Sequence, residues 1–108
     1  MQERRGYPRA LVSFPTRLFA DEQLLLRGRA LDLSLGGVLL HGRAPLRPGR
    51  TVRVEVTRGG QRNPLVLPAE VVRIEQPTVQ MRRHGVALRW LAPDIVDVAA
   101  LALLLQHS

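Results

Sequence analysis

Between Thr51 and Thr57 the chain alternates with a period of two: Val52, Val54 and Val56 fall on one face, Arg53, Glu55 and Thr57 on the other. An extended strand, whose successive side chains point to opposite faces, turns that spacing into one apolar and one polar surface. The same period recurs in short pieces along the sequence. Val12, Phe14, Thr16 and Leu18 share a face between Arg9 and Phe19, where Pro15 calls for an edge position or a bulge. Asp21-Glu22-Gln23 reads as a turn, and Leu24 to Asp32 as the returning strand. Val38 to His41 makes a third, short strand after the glycine pair at 36 and 37. A proline-glycine loop, Ala44 to Gly49, precedes the valine strand, and Gly59-Gly60 marks a hairpin-like turn after it. Leu65 to Ile74 is a longer strand that ends before Pro77, and Val86, Leu88 and Trp90 alternate on a last one. Six short strands with regular turn signals predict a mainly β fold: a small antiparallel barrel, which closes on itself and leaves no open edge.

The period changes at the end of the chain. Pro93 suits a first helical position, and Asp94 and Asp97 complement the positive start of a helix. From Ile95 to Leu105 the residues are good helix formers or apolar, but they do not keep to one face. Leu101, Leu104 and Leu105 sit on one side of a helical wheel, with Val96, Ala100 and Leu103 towards the other. One side suits a barrel; the second needs either a partner or burial within the protein.

A chain of 108 residues is one domain with one modest core, divided here into an arm at 1–9, a barrel at 10–91 and a C-terminal helix at 93–106. Its 45% hydrophobic content fits a folded protein rather than a disordered one. With no cysteine, disulfides and thiolate chemistry are excluded, and a cytoplasmic, reducing compartment is compatible. The polar, basic start has no apolar run behind it, so no signal peptide is expected, and no stretch is long enough to span a membrane. All sixteen basic residues are arginine, giving a net charge of +7 that attracts phosphates.

Two signatures stand against this background. Arg4-Arg5-Gly6-Tyr7-Pro8-Arg9 is an RRxxxR run, and Asp32-Leu33-Ser34-Leu35-Gly36-Gly37 is a DxSxxG run with an extra glycine. Arginine forks onto phosphate oxygens or the O6/N7 edge of guanine and stacks on a base. Aspartate accepts guanine N–H donors, and a small hydroxyl beside glycine lets backbone approach a ligand closely. The Asp32-x-Ser34 pair has a plainer use as well, since such residues often bond their own backbone in a turn.

In this order and spacing the motifs resemble those of the PilZ domain, the bacterial receptor module for cyclic di-GMP, over nearly the whole chain. Pro45-Leu46-Arg47-Pro48-Gly49 is similar to that family's loop before a valine-rich strand, and Gly85-Val86-Ala87-Leu88-Arg89-Trp90 to its closing strand. The resemblance implies a six-stranded antiparallel PilZ-type barrel with a C-terminal helix and a flexible N-terminal arm that clamps ligand against the barrel. It implies Arg5 and Arg9 on phosphates and guanine edges, Asp32 and Ser34 on a guanine, and Gly37 keeping the turn tight. Arg4, ahead of the motif, implies a further fork for a second ligand molecule, hence two molecules of cyclic di-GMP per chain.

Other chemistry finds little support. His41, His84 and His107 lack metal-ligand spacing, no histidine has a reason to stand beside Ser34, and no carboxylates pair for acid–base work, so no enzyme and no metal are expected. Three functions stay open: a cyclic di-GMP receptor that signals to a partner protein, with a homodimer through the helix; a PilZ-like adaptor that makes only protein contacts; and a barrel for single-stranded nucleic acid. The last lacks a stacking platform, with 4% aromatic residues. Trp90 reads as core, Gly36 and Gly37 as backbone geometry, and Arg82, Arg83 and Arg89 as surface charge.

Overall fold

The computed structural model describes residues 10–57, 63–80 and 82–106. Six strands are present: β1 (Ala10–Ala20), β2 (Gln23–Leu33), β3 (Gly37–His41), β4 (Thr51–Val56), β5 (Leu65–Glu75) and β6 (Gly85–Trp90), followed by helix α1 (Ile95–Gln106). They close into an antiparallel barrel in the order β1-β2-β3-β6-β5-β4. The alternation read from the sequence sets the inside: Phe14, Thr16, Leu18 and Ala20 on β1 and Val52, Val54 and Val56 on β4 are all buried. Thr16 is tolerated there because its hydroxyl donates to the Phe14 carbonyl at 2.9 Å. On the outside, Arg17 and Arg53 bracket the Phe19 ring at 5.4 and 4.6 Å from its centre, and both pair with Glu55.

Local chemistry explains the departures from a regular ladder. Pro15 follows a register shift between Leu11 and Phe14 and precedes the first β4 pair, Thr16 with Val56, so its missing N–H costs no ladder bond there. Ala20 pairs with Gln23 across Asp21 and Glu22, whose φ values of 50° and 64° put both in the left-handed region of a two-residue hairpin turn. Gly28 lies where β2 meets β3 so closely that a Cβ would overlap the His41 carbonyl oxygen.

Two bulges matter most for the outer surface. Against β3, Ala30 pairs with Leu40 and Asp32 with Leu39, so Leu31 is an extra residue on β2. Against β6, Val71 pairs with Leu88 and Arg73 with Ala87, so Val72 is extra on β5. Each bulge keeps apolar residues inside on both flanks, Ala30 and Leu33 on one strand, Val71 and Ile74 on the other. Each also turns a charged residue outward that strict alternation would have pointed into the core.

At the start of α1, Asp94 is the N-cap. Its Oδ1 accepts the Asp97 N–H at 2.8 Å, while Asp97 Oδ2 accepts the Asp94 N–H at 3.3 Å, a reciprocal capping box. Pro93 therefore stands before the cap and not at the first helical position expected from the sequence; the capping carboxylate, not the proline ring, sets the start. Leu101 and Leu104 are buried in the barrel core and the helix packs on β5. The opposite face stays in solvent, with Ile95, Val96 and Leu103 exposed at 85%, 70% and 55%. Burial of both faces within the chain is thus not what the fold achieves.

Candidate functional site

The site grows from the turn that joins β2 to β3. Ser34 donates its N–H to the Gly37 carbonyl at 3.0 Å, closing the turn. Its hydroxyl oxygen accepts the N–H groups of Gly36 and Gly37 at 3.1 and 3.3 Å. Both acceptor lone pairs are then engaged, which leaves the hydroxyl proton as the group Ser34 has to offer. From β6, Trp90 donates its indole N–H to the Ser34 carbonyl at 3.0 Å and its backbone N–H to the Gly36 carbonyl at 3.1 Å. The turn is held from three sides, so its geometry exists before any ligand arrives.

Gly37 belongs to the same arrangement for a steric reason: a Cβ there would overlap the Leu88 carbonyl oxygen of β6. Its part is to let β3 and β6 approach. Beside it the β2 bulge sets Asp32, half-buried, on the outer face of the barrel between Leu11 of β1 and Leu39 of β3. Asp32, Ser34, Gly37 and Arg73 line one shallow crevice floored by β3 and β6, with a volume of about 10 Å³, room for one water at most. A carboxylate acceptor, a hydroxyl donor and a guanidinium thus face one small concavity. They suit a planar ligand with both donors and acceptors on its edge.

Of the residues singled out in the sequence, Asp32, Ser34 and Gly37 come together here. Arg4, Arg5 and Arg9 lie outside the described residues, as do Tyr7 and His107. Ser34 and Gly37 also fill the plainer, turn-forming role, and the two roles coexist. Trp90 is core, 5% exposed, yet its N–H is what fixes the motif turn. Arg73 carries no signature in the sequence: nothing around Val71–Glu75 marks a bulge or brings β5 towards residue 32. Arg89 pairs with Glu70, while Arg82 and Arg83 are exposed. Among the described residues no three histidine, aspartate or glutamate side chains converge to hold a metal, and no helix is long and apolar enough to cross a membrane.

A family model for the PilZ domain matches residues 3–107. No curated protein matches the chain. Among solved structures, the PilZ domain of Escherichia coli YcgR with c-di-GMP superposes with a TM-score of 0.76 at 22% identity, over 97% of this chain and 91% of that one. YcgR from Escherichia coli in complex with c-di-GMP gives 0.77 at 25% identity, over 97% and 46%. The Bacillus subtilis inhibitor of motility, MotI/DgrA, gives 0.78 at 17% identity, over 98% and 51%. The chain therefore spans about half the length of the latter two proteins.

Proposed function

The chain belongs to the PilZ domain family, and from that membership we propose that it is a cytoplasmic receptor for cyclic di-GMP that passes its signal to a partner protein. One observation carries the reading: Asp32, Ser34 and Gly37 meet in a single outer crevice whose turn is fixed in advance by Trp90. On this reading Asp32 accepts guanine N–H donors, and the Ser34 hydroxyl donates to an acceptor on the same ligand. Gly37 holds the turn against β6. Arg5 and Arg9 grip phosphates and guanine edges from the other side, and Arg4 supplies a fork for a second molecule, giving two cyclic di-GMP per chain. Charge-assisted contacts of this kind contribute about 1.5–3 kcal/mol each. Binding is the whole of the chemistry; no residue is assigned a catalytic role.

The signal leaves by the ligand-covered face or by α1. The exposed strip of Ile95, Val96, Val98 and Leu103 is apolar and, beyond Asp97, uncharged. In a chain of net charge +7 it is a place where a second copy can approach without strong repulsion, which supports a homodimer through this helix.

Isothermal titration of cyclic di-GMP into the protein, with GTP and GMP as controls, tests the reading. Micromolar or tighter binding at two molecules per chain is expected, and Arg5→Ala or Arg9→Ala should weaken it at least about tenfold. Absence of heat with a folded protein would leave a barrel that serves protein contacts alone. A stoichiometry of one would remove the role given to Arg4.

A further inference from the structure

We infer that Arg73 is an additional ligand-binding residue of the Asp32–Ser34 crevice, placing its guanidinium on an anionic or O6/N7 edge of the bound dinucleotide opposite Asp32. The inference rests on the receptor reading above and extends its site to a strand, β5, that neither motif touches.

The strand register sets the geometry. Asp32 pairs with Leu39, Leu39 with Ala87, and Ala87 with Arg73, so the four residues form one row across β2, β3, β6 and β5. Three strand spacings separate the ends of the row, roughly 14 Å between backbones. An arginine side chain covers about half of that. Nearest to it in the row is only the methyl group of Ala87, and the half-buried Leu39 stands between Ala87 and Asp32, flooring the crevice over which a ligand would lie. Ala87 is 6% exposed although it points away from the core, as expected of a small residue lying beneath larger neighbours. Both charged ends of the row owe their outward direction to a bulge, at Leu31 on β2 and at Val72 on β5. Without the second bulge, position 73 would point inward as Val71 does. Bulges that re-aim a side chain are a recurrent device beside binding sites.

Arg73 is also poised rather than committed. Its Nε and Nη2 donate to one oxygen of Glu75, at 2.9 and 2.7 Å, while the side chain stays 51% exposed. A guanidinium has five N–H donors, so three are left for a ligand while Glu75 steadies the plane. Arg89 is the natural contrast. It is similarly exposed at 58% and similarly paired, to Glu70, but it sits one row away, between Gly37 and Glu70, and does not line the crevice.

The test is isothermal titration of cyclic di-GMP into the parent, Arg73→Ala, Arg73→Lys, Glu75→Gln and Arg89→Ala proteins, each checked for the parent's melting temperature. The expected result is a loss of about tenfold or more for Arg73→Ala, a smaller loss for Arg73→Lys, and less than about threefold for Arg89→Ala. Glu75→Gln, which keeps the guanidinium but neutralises its partner, should bind as well as the parent or better. Unchanged affinity in a folded Arg73→Ala protein, with the parent binding, overturns this inference and leaves the receptor reading standing. Equal losses in Arg73→Ala and Arg89→Ala overturn it too, since general charge would then be the cause. A parent protein that binds no cyclic di-GMP removes the receptor reading itself.

Discussion

Two concavities lie at the two ends of β3, and they could hardly differ more. The one beyond His41, lined by the Gly42–Arg47 loop with Ile74, Gln76, His84 and Val86, has a volume of about 700 Å³. The one at the Gly37 end, beside Asp32 and Ser34, measures about 10 Å³. Size favours the first, as it does for most small-molecule sites. Its polar groups, however, are not aimed: Arg43 and Arg47 are exposed loop arginines with no carboxylate partner among the described residues. In the small crevice the backbone is locked by Ser34 and Trp90, and acceptor, donor and cation stand within one row and one turn. The contrast separates room from preorganisation. A site finished by a second wall, as the receptor reading has it for the arginine-rich residues 4–9, needs a fixed floor and no standing volume.

The strongest way to break that contrast is to remove the floor. Gly37→Ala would drive a methyl group into the Leu88 carbonyl where β3 meets β6, a backbone that has nowhere to go. A destabilisation of about 3–4 kcal/mol is expected, seen as a melting temperature lower by roughly 12 °C or more. If the variant melted like the parent, the close approach of the two strands would not be what holds the turn. Next in size comes Trp90→Phe, which keeps most of the core volume but removes the N–H from the buried Ser34 carbonyl. A loss of about 2–3 kcal/mol is expected from chemical denaturation, with cyclic di-GMP affinity falling alongside because the turn loosens. Stability lost without any change in affinity would mean that the floor is not set by this bond.

Ser34→Ala is a smaller perturbation and sharpens the same point. It strips the acceptor from two turn N–H groups, at a cost of about 1–2 kcal/mol in thermal melts, and removes the hydroxyl proton assigned to the ligand. Affinity should fall further than stability alone explains, and equal behaviour to the parent in titration would leave Ser34 with its turn role only. The serine illustrates what was legible in the sequence. The motif and its two meanings could be read locally, because turn chemistry depends on neighbours three residues apart. So could the six strands, since alternation at Val52, Val54 and Val56 or at Phe14, Thr16 and Leu18 requires no knowledge of partners. Arg73 could not, because its part depends on three strand pairings and a one-residue bulge, Val72, that leave no trace in composition. Nor could the bond from Trp90 to a residue 56 positions earlier. Pro93 misled for a related reason: the reciprocal bonds between Asp94 and Asp97 outweigh a proline's preference for the first helical position.

The smallest expected effect carries the comparison's other half. The double variant Arg43→Ala/Arg47→Ala takes two cations from the large cleft and lowers the net charge from +7 to +5. Surface substitutions without partners usually change stability by no more than about 0.5 kcal/mol, so the melt should be unaltered. Arg43 and Arg47 stand in the loop past His41, at the other end of β3 from the Ser34 turn, and are exposed to screening by salt. Affinity for cyclic di-GMP should therefore shift by less than about threefold in titration, with somewhat slower association only at low salt, where long-range steering survives. A tenfold loss at physiological salt would invert the comparison: the open cleft would be where the dinucleotide sits, and the preformed turn a structural feature of the barrel. The outcome turns on whether a ligand of this size selects space or selects fixed partners. Because the Ser34 turn is already held by its own bonds and by Trp90, binding there would cost less in ordering than binding among loop arginines, and that difference favours the smaller site.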